Sequence, residues 1–198
     1  MDTSISSLPA FKRGSNLGTS KFYMGSLMSF LTKGADTGGR IALMEYQAQP
    51  GNEPPPHVHH WENELFYVLE GVMELYVGDK VLVIGPGEVA FVPRDKPHAF
   101  YIRTPQLRML ILAQATGAHA VGLDTYFSAM GTPATAMTLP VNAVTYQMNE
   151  PAHAARVAAE HGLRILTPEE TAWELPLYPG FGVAREMIAG SGSNGTAN

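Results

Sequence analysis

From about residue 21 to residue 115, short runs of β-branched, aromatic and aliphatic residues alternate with Gly, Pro and Asp, a pattern that predicts many short strands. The clearest runs are 26–31, 40–46, 64–69, 72–77, 81–84, 89–92, 98–103 and 107–113. Turn-forming residues stand between them at Glu70-Gly71, Gly78-Asp79 and Gly85-Pro86-Gly87. Strands this short and this closely spaced join as antiparallel hairpins, so the expectation is an all-β sandwich or barrel rather than a parallel sheet. Gly85-Pro86-Gly87 reads as a hairpin turn and not as a phosphate cradle, because no helix follows it.

The flanks differ in character. Residues 1–19 are rich in Ser, Gly and Thr and read as an irregular arm. The barrel is expected over 20–116, a helical and Pro-punctuated extension packing on it over 117–188, and a disordered Gly/Ser/Asn-rich tail over 189–198. Within the extension, 118–130 looks helical and ends at Gly131, a candidate left-handed cap, followed by a connector over 131–141. Asn149 is a candidate N-cap, Pro151 sits in the first turn, and a helix over 152–161 stops at Gly162. Thr167 with Glu170 three residues later reads as a capping box. The barrel segment is not repeated, which means one barrel and not two.

Composition narrows the classes of function. A chain of 198 residues with 45% hydrophobic residues is long enough for one domain with a proper core. It has no cysteine, which excludes a disulfide framework, a cysteine-held zinc and a thiol nucleophile. A formal charge of −5, with basic residues scattered and Lys12-Arg13 the densest pair, argues against non-specific nucleic-acid binding. No run reaches the roughly 18 apolar residues of a membrane span. The opening MDTSISSLPAFKRG lacks the apolar core of a signal peptide. The expectation is a cytoplasmic protein that meets small molecules, with no nucleic-acid and no membrane partner.

Four residues carry the candidate chemistry. His57 and His59 are two apart, so on an extended chain their side chains share a face. Pro54-Pro55-Pro56 ahead of them stiffens the approach and prevents a helix. Glu64 lies past a polar turn at the start of the next strand, and His98, preceded by Pro97, starts another. Three imidazoles and one carboxylate suit a divalent Fe, Mn, Ni, Co or Zn ion. On an octahedral ion they leave room for water, substrate or dioxygen, as catalytic metal sites require.

The frame around these residues resembles the two motifs of the cupin superfamily. In the first, Gly51, His57, His59, Glu64 and Gly71 all fall at the family's spacings. In the second, Gly87, Pro93 and His98 match, while Asp95 stands where the pattern has glycine and Ile102 where it has asparagine. The resemblance implies a double-stranded β-helix, or jelly-roll barrel, with short C-terminal helices and with one metal held inside by His57, His59, Glu64 and His98. Strand parity then places Phe66 and Val68 inward with Glu64, and Phe100 and Ile102 inward with His98. The ligands therefore look into an apolar, partly aromatic pocket. Leu65, Tyr67 and Leu69 face the other way, where an N-terminal strand, the C-terminal helices or a second subunit must cover them, and a homodimer is expected. His60 and Glu62 lie off the ligand spacing and read as loop surface or as support for the ligands. Glu88 and Asp95 read as turn residues. His119, His153 and His161 read as solvent-facing, and Phe127 and Met130 as either a lid or core.

Within the superfamily the chain resembles bacterial single-barrel quercetin 2,3-dioxygenases. The likeness rests on His57 to Gly71 with its Leu-Phe-Tyr-Val-Leu-Glu-Gly ending, on Gly87 to Phe100, and on Tyr126-Phe127 with the following Met130-Gly131-Thr132-Pro133-Ala134. That resemblance implies flavonol ring cleavage by dioxygen with loss of carbon monoxide. Glu64 would serve as both ligand and general base, its basicity raised in a dry pocket. Phe66, Phe100, Ile102 and Phe127 would bind a small, flat, apolar aromatic substrate. Two other readings stand beside it: a metal-dependent decarboxylase or isomerase of a small oxygenated substrate, and a non-catalytic small-molecule-binding cupin. A charged substrate would call for an inward Arg or Lys, with Arg40 and Arg108 unplaced. A thiol dioxygenase is disfavoured by the presence of Glu64, and a transcription factor by the lack of a basic helix-turn-helix.

Overall fold

The computed structural model describes residues 8–140, 150–183 and 187. Two antiparallel sheets face each other, as the alternating runs predict. In chain order the elements are β1 (Ser20–Tyr23), β2 (Ser26–Thr32), β3 (Ile41–Ala48), β4 (His57–His59), β5 (Glu62–Glu70), β6 (Met73–Val77), β7 (Lys80–Ile84), β8 (Val89–Val92), β9 (His98–Ile102) and β10 (Leu107–Ala115). After them come α1 (Leu123–Met130), β11 (Thr132–Pro133), α2 (Pro151–Glu160), β12 (Leu163–Ile165) and α3 (Pro168–Glu174). One sheet runs β11-β1-β2-β3-β10-β5-β8 and the other β12-β4-β9-β6-β7. No helix among the described residues is long and apolar enough to cross a membrane.

The main core fills the space between the sheets. On β5 the inward series Phe66 and Val68 meets Ile111 and Met109 of β10 in register. Phe100 and Ile102 enter from β9, opposite Leu75 and Met73. A second apolar cluster lies on the other face of the five-stranded sheet. There Val58, Tyr76, Ala99 and Tyr101 are covered by Leu166, Leu175 and Tyr178 from the C-terminal segment. That segment therefore covers the outside of the five-stranded sheet and not the outer face of β5. Tyr67 stays 38% exposed in the single chain, with Val89 and Phe91 of β8 exposed beside it.

Several local expectations are corrected. α1 starts at Leu123, five residues later than expected, for a reason that lies outside its own sequence and is described below. Gly131 is extended (φ −82°, ψ 149°) rather than left-handed. The chain passes straight into β11, whose Thr132 pairs with Phe22, and the Lys21 ammonium reaches the carbonyls of Ser128 and Gly131, doing the work of a left-handed cap. α2 begins at Pro151 with Glu150 in the cap position, and Asn149 lies outside the described residues, as does the tail over 189–198. β1 and β11 extend one sheet and β12 the other, without an alternating pattern strong enough to announce them. The capping box of α3 is present as expected: Thr167 accepts the Glu170 amide at 3.1 Å and Glu170 accepts the Thr167 amide at 2.9 Å.

Candidate metal centre

The four candidate ligands come from three strands and both sheets. His57 and His59 lie on β4, His98 on β9, and His57 and His98 are direct cross-strand partners. Glu64 enters from the facing sheet, paired with Val92 on one side and Ala113 on the other. All four are buried, and each offers one ligand atom such that these atoms lie within 4.8 Å of one another. Glu64 Oε2 is 3.0 Å from His98 Nε2 and 3.4 Å from His59 Nε2.

Hydrogen bonds fix which nitrogen of each ring faces the group. His57 donates its Nδ1–H to the Pro55 carbonyl at 2.8 Å, and His98 donates its own to the Lys96 carbonyl at 3.0 Å. A carbonyl can only accept, so the proton sits on Nδ1 and Nε2 is turned toward the group, where that of His98 meets Glu64 Oε2. His59 does the same toward a carboxylate, Glu62 Oε1 at 2.8 Å. Its Nε2 is buried without a hydrogen-bond partner. An orphaned ring nitrogen in a dry interior is costly unless something occupies its lone pair. Three imidazoles and a carboxylate converging on one point fit a divalent transition metal, and the donor set does not single out one ion.

Charge is distributed unevenly. Burial holds the His57 imidazole well below its usual range, helped by His98 and His59. Burial also pushes His59 down, but Glu64 and Glu62 outweigh it and its pKa is raised. For Glu64, burial acts upward as the sequence suggests, yet His59, His98 and His57 win and bring it to about 2. The expected rise in Glu64 basicity is therefore corrected: a dry pocket raises a carboxyl only when no cationic partners share it.

Residues 44–113 match the family model described as Cupin domain. The match covers about a third of the chain, the segment that carries all four candidate ligands. Over 99 residues the chain is 24% identical to quercetin 2,3-dioxygenase of Bacillus subtilis, a match covering 50% of this chain. The match spans only 28% of that protein's length. Among solved structures, KdgF from Halomonas sp. is similar with a TM-score of 0.43 and 16% identity, over 48% of this chain and 83% of that one. A cupin superfamily protein from Desulfitobacterium hafniense has a TM-score of 0.41 and 19% identity, over 46% of this chain and 78% of its own.

The interior between the sheets opens beside His57 and Glu64 into an apolar cavity. The cavity volume is about 30 Å³, so it is a narrow slit. Phe66, Phe100 and Phe127 of α1 line it, and Phe127 belongs to the buried core as well. Met130 instead packs, partly buried, against the core. Ile102 departs from expectation. It is buried in the core but does not bound the cavity, and its backbone N–H is held by Glu53 at 2.8 Å. Tyr23 and Tyr126 also line the slit, their hydroxyls 2.8 Å apart. Leu163 and Ile165 of β12 complete it. Among the described residues bounding it there is no Lys or Arg. Arg40 bonds the Gly117 carbonyl, and Arg108 pairs with Glu45 at 2.9 Å on the other side of the sheet.

The remaining singled-out residues sort as follows. Glu88 is turn chemistry, accepting the Gly85 amide at 2.7 Å. His60 is exposed and bonds Asp95 at 2.6 Å. Asp95, at the family's glycine position, takes the left-handed φ of 62° that this position demands, which Asp tolerates better than most residues. His119 stacks on Trp61, His153 contacts Arg156, and His161 bonds Thr125, none of them near the metal group. Glu62 is the residue whose place the sequence left undecided. It is only 1% exposed and supports His59 directly.

Proposed function

We propose that this cupin is a metal-dependent dioxygenase that opens a flat, hydroxylated aromatic substrate of the flavonol type. The observation that carries the reading is the set of three imidazoles, each with Nδ1–H donated away, turned with Glu64 toward one point beside an apolar aromatic slit. The likeness to a quercetin 2,3-dioxygenase supports the same substrate class. A divalent Ni, Fe, Mn, Co or Zn ion held by His57, His59, Glu64 and His98 supplies Lewis acidity toward a substrate oxygen.

The protein's own residues supply the rest. Glu64, ionised throughout the neutral range, stands ready to take the substrate's hydroxyl proton. Phe66, Phe100 and Phe127 receive the apolar rings and exclude water. The Tyr23–Tyr126 hydroxyl pair offers a polar handle in an otherwise greasy wall. The absence of Lys and Arg from the described lining disfavours an anionic substrate.

The test is oxygen uptake with quercetin by protein loaded in turn with each of the five ions. Consumption that disappears in His57→Ala and Glu64→Gln is the expected result. Tight ion binding without oxygen uptake for every ion would overturn it. A second reading, decarboxylation or isomerisation of a smaller oxygenated molecule, is favoured by the narrowness of the slit. Turnover of such a substrate without oxygen uptake would establish it. We further propose a homodimer through the outer face of β5, β8 and β10, where Tyr67, Val89 and Phe91 are exposed and Leu65, Leu110 and Leu112 are half-buried. Light scattering that gives a monomer mass at micromolar concentration would rule it out.

A further inference from the structure

The three imidazoles are not oriented in the same way. His57 and His98 each lean on a backbone carbonyl two residues earlier in their own segment. Those supports are local and form whenever the strand forms. His59 leans on Glu62, and Glu62 is shared. Its Oε2 accepts the Gly122 amide at 2.7 Å and its Oε1 the Leu123 amide at 3.0 Å. These are the first amides of α1, a helix whose cap position is Gly122 and which has no side-chain cap of its own. A carboxylate some sixty residues earlier in the chain caps the helix in place of a neighbouring Ser, Thr or Asp. This is why α1 starts at Leu123.

α1 is also a wall of the slit. Leu123, Tyr126 and Phe127 all line it. Its start is wedged against the end of α2: a Cβ built on Gly122 would lie 1.8 Å from the His161 carbonyl oxygen, so only glycine lets the two approach. One buried carboxylate thus holds the ring that presents an unpartnered Nε2 to the metal group and the helix that shapes the substrate's side of the cavity.

We propose that Glu62 is a positioning residue that joins the seating of α1 to the metal-binding orientation of His59, so that ion binding and closure of the cavity wall are one coupled event. The inference rests on the reading of His59 as a metal ligand. Releasing α1 frees Glu62 to reorient and leaves the His59 ring without the acceptor that keeps its proton on Nδ1. Losing Glu62 leaves two buried amides uncapped and the ring free to turn. Coupling of this kind is reciprocal: if seated α1 favours the ion, the ion must favour seated α1 by the same factor.

The first measurement needs no variant. Hydrogen exchange of the full chain is followed by mass spectrometry with zinc or nickel present and after chelation. Slower exchange with the ion across the peptide carrying Gly122 to Met130 is expected; unchanged exchange there, in protein that demonstrably binds the ion, would overturn the proposal. The second uses Glu62→Gln, which keeps the shape but turns an amide NH₂ toward groups that themselves donate. By competition with a chromogenic chelator its affinity for the ion should fall about 10–100-fold, the usual cost of removing a group that orients a ligand. The ion's protection of α1 should vanish while that of the peptide around His98 persists. A folded Glu62→Gln protein that binds the ion at wild-type affinity would refute the role of Glu62. Failure of the unaltered protein to bind any transition metal would instead bring down the metal reading beneath it.

Discussion

Glu64→Gln in the ion-free protein tests the electrostatics of the site most directly. The wild-type carboxylate is buried and surrounded by His59, His98 and His57, which outweigh the burial that pushes it upward and carry its pKa from 4.5 to about 2. At about 1.4 kcal/mol per pKa unit, that depression corresponds to roughly 3 kcal/mol of stability at neutral pH. The carboxylate is depressed on folding, so its contribution is complete above the unfolded value of 4.5 and is lost as pH falls toward 2. Glutamine cannot ionise. The stability gap between wild type and Glu64→Gln should therefore be widest near pH 7 and narrow in acid, with about 1.4 kcal/mol of it gone by about pH 3.5. Urea unfolding of chelator-treated protein at a series of pH values measures this gap. Acid-sensitive groups whose partners do not include Glu64, such as Asp36 beside Arg13, are present in both proteins and cancel. A gap that stays constant from pH 7 to pH 3.5, or a variant as stable as wild type at pH 7, would refute the reasoning.

Three further outcomes are expected. Asp124 is buried with Oδ1 unpartnered, and burial raises its pKa, so the folded protein keeps that proton longer than the unfolded chain and stability falls as pH rises from 3.8 through the raised value. Asp124→Asn should flatten that part of the melting-temperature profile, and an unchanged profile would count against it. Phe127→Ala should cost about 3–5 kcal/mol in urea unfolding and, by widening the slit, lower KM for bulky flavonols more than for small substrates. An equal change in KM for both would show that Phe127 does not gate the cavity. Asp95→Ala should destabilise by about 1–2 kcal/mol because alanine bears the left-handed conformation poorly, and Asp95→Gly should recover most of the loss.

Much of the fold was legible because its determinants are local. The near-unbroken apolar runs at 64–69 and 107–113 mark strands, and both segments became long interior strands, β5 and β10. Gly162 at φ 76° and the Thr167–Glu170 box ended and began helices where the sequence placed them. What was not legible was set from a distance. Nothing near residue 118 reveals that α1 must wait for Leu123, because the acceptor that caps it sits on β5. Gly131 carries the usual signal for a left-handed cap, but Lys21 and the β1–β11 pairing supply what that cap would have supplied. β12 is only three residues long, and its Leu163 and Ile165 reach the cavity solely because β12 pairs with β4.

The site shows the same division within three residues. Glu62 and Glu64 are two apart on one strand, so whatever turns Glu64 inward turns Glu62 inward as well. Extending that parity forward gave Phe66 and Val68; extended backward it would have pointed to Glu62. Parity alone could not assign the two carboxylates different work. Glu64 is surrounded by imidazoles, which suits it to hold a cation and take a proton. Glu62 meets one imidazole and two helix amides, all donors, which suits it to hold a ring and a helix still. The difference arises from α1, which arrives at one end of the strand and not at the other. A ligand can thus be recognised by its spacing along the chain, whereas its support is recognised only once the elements that share it have been brought together.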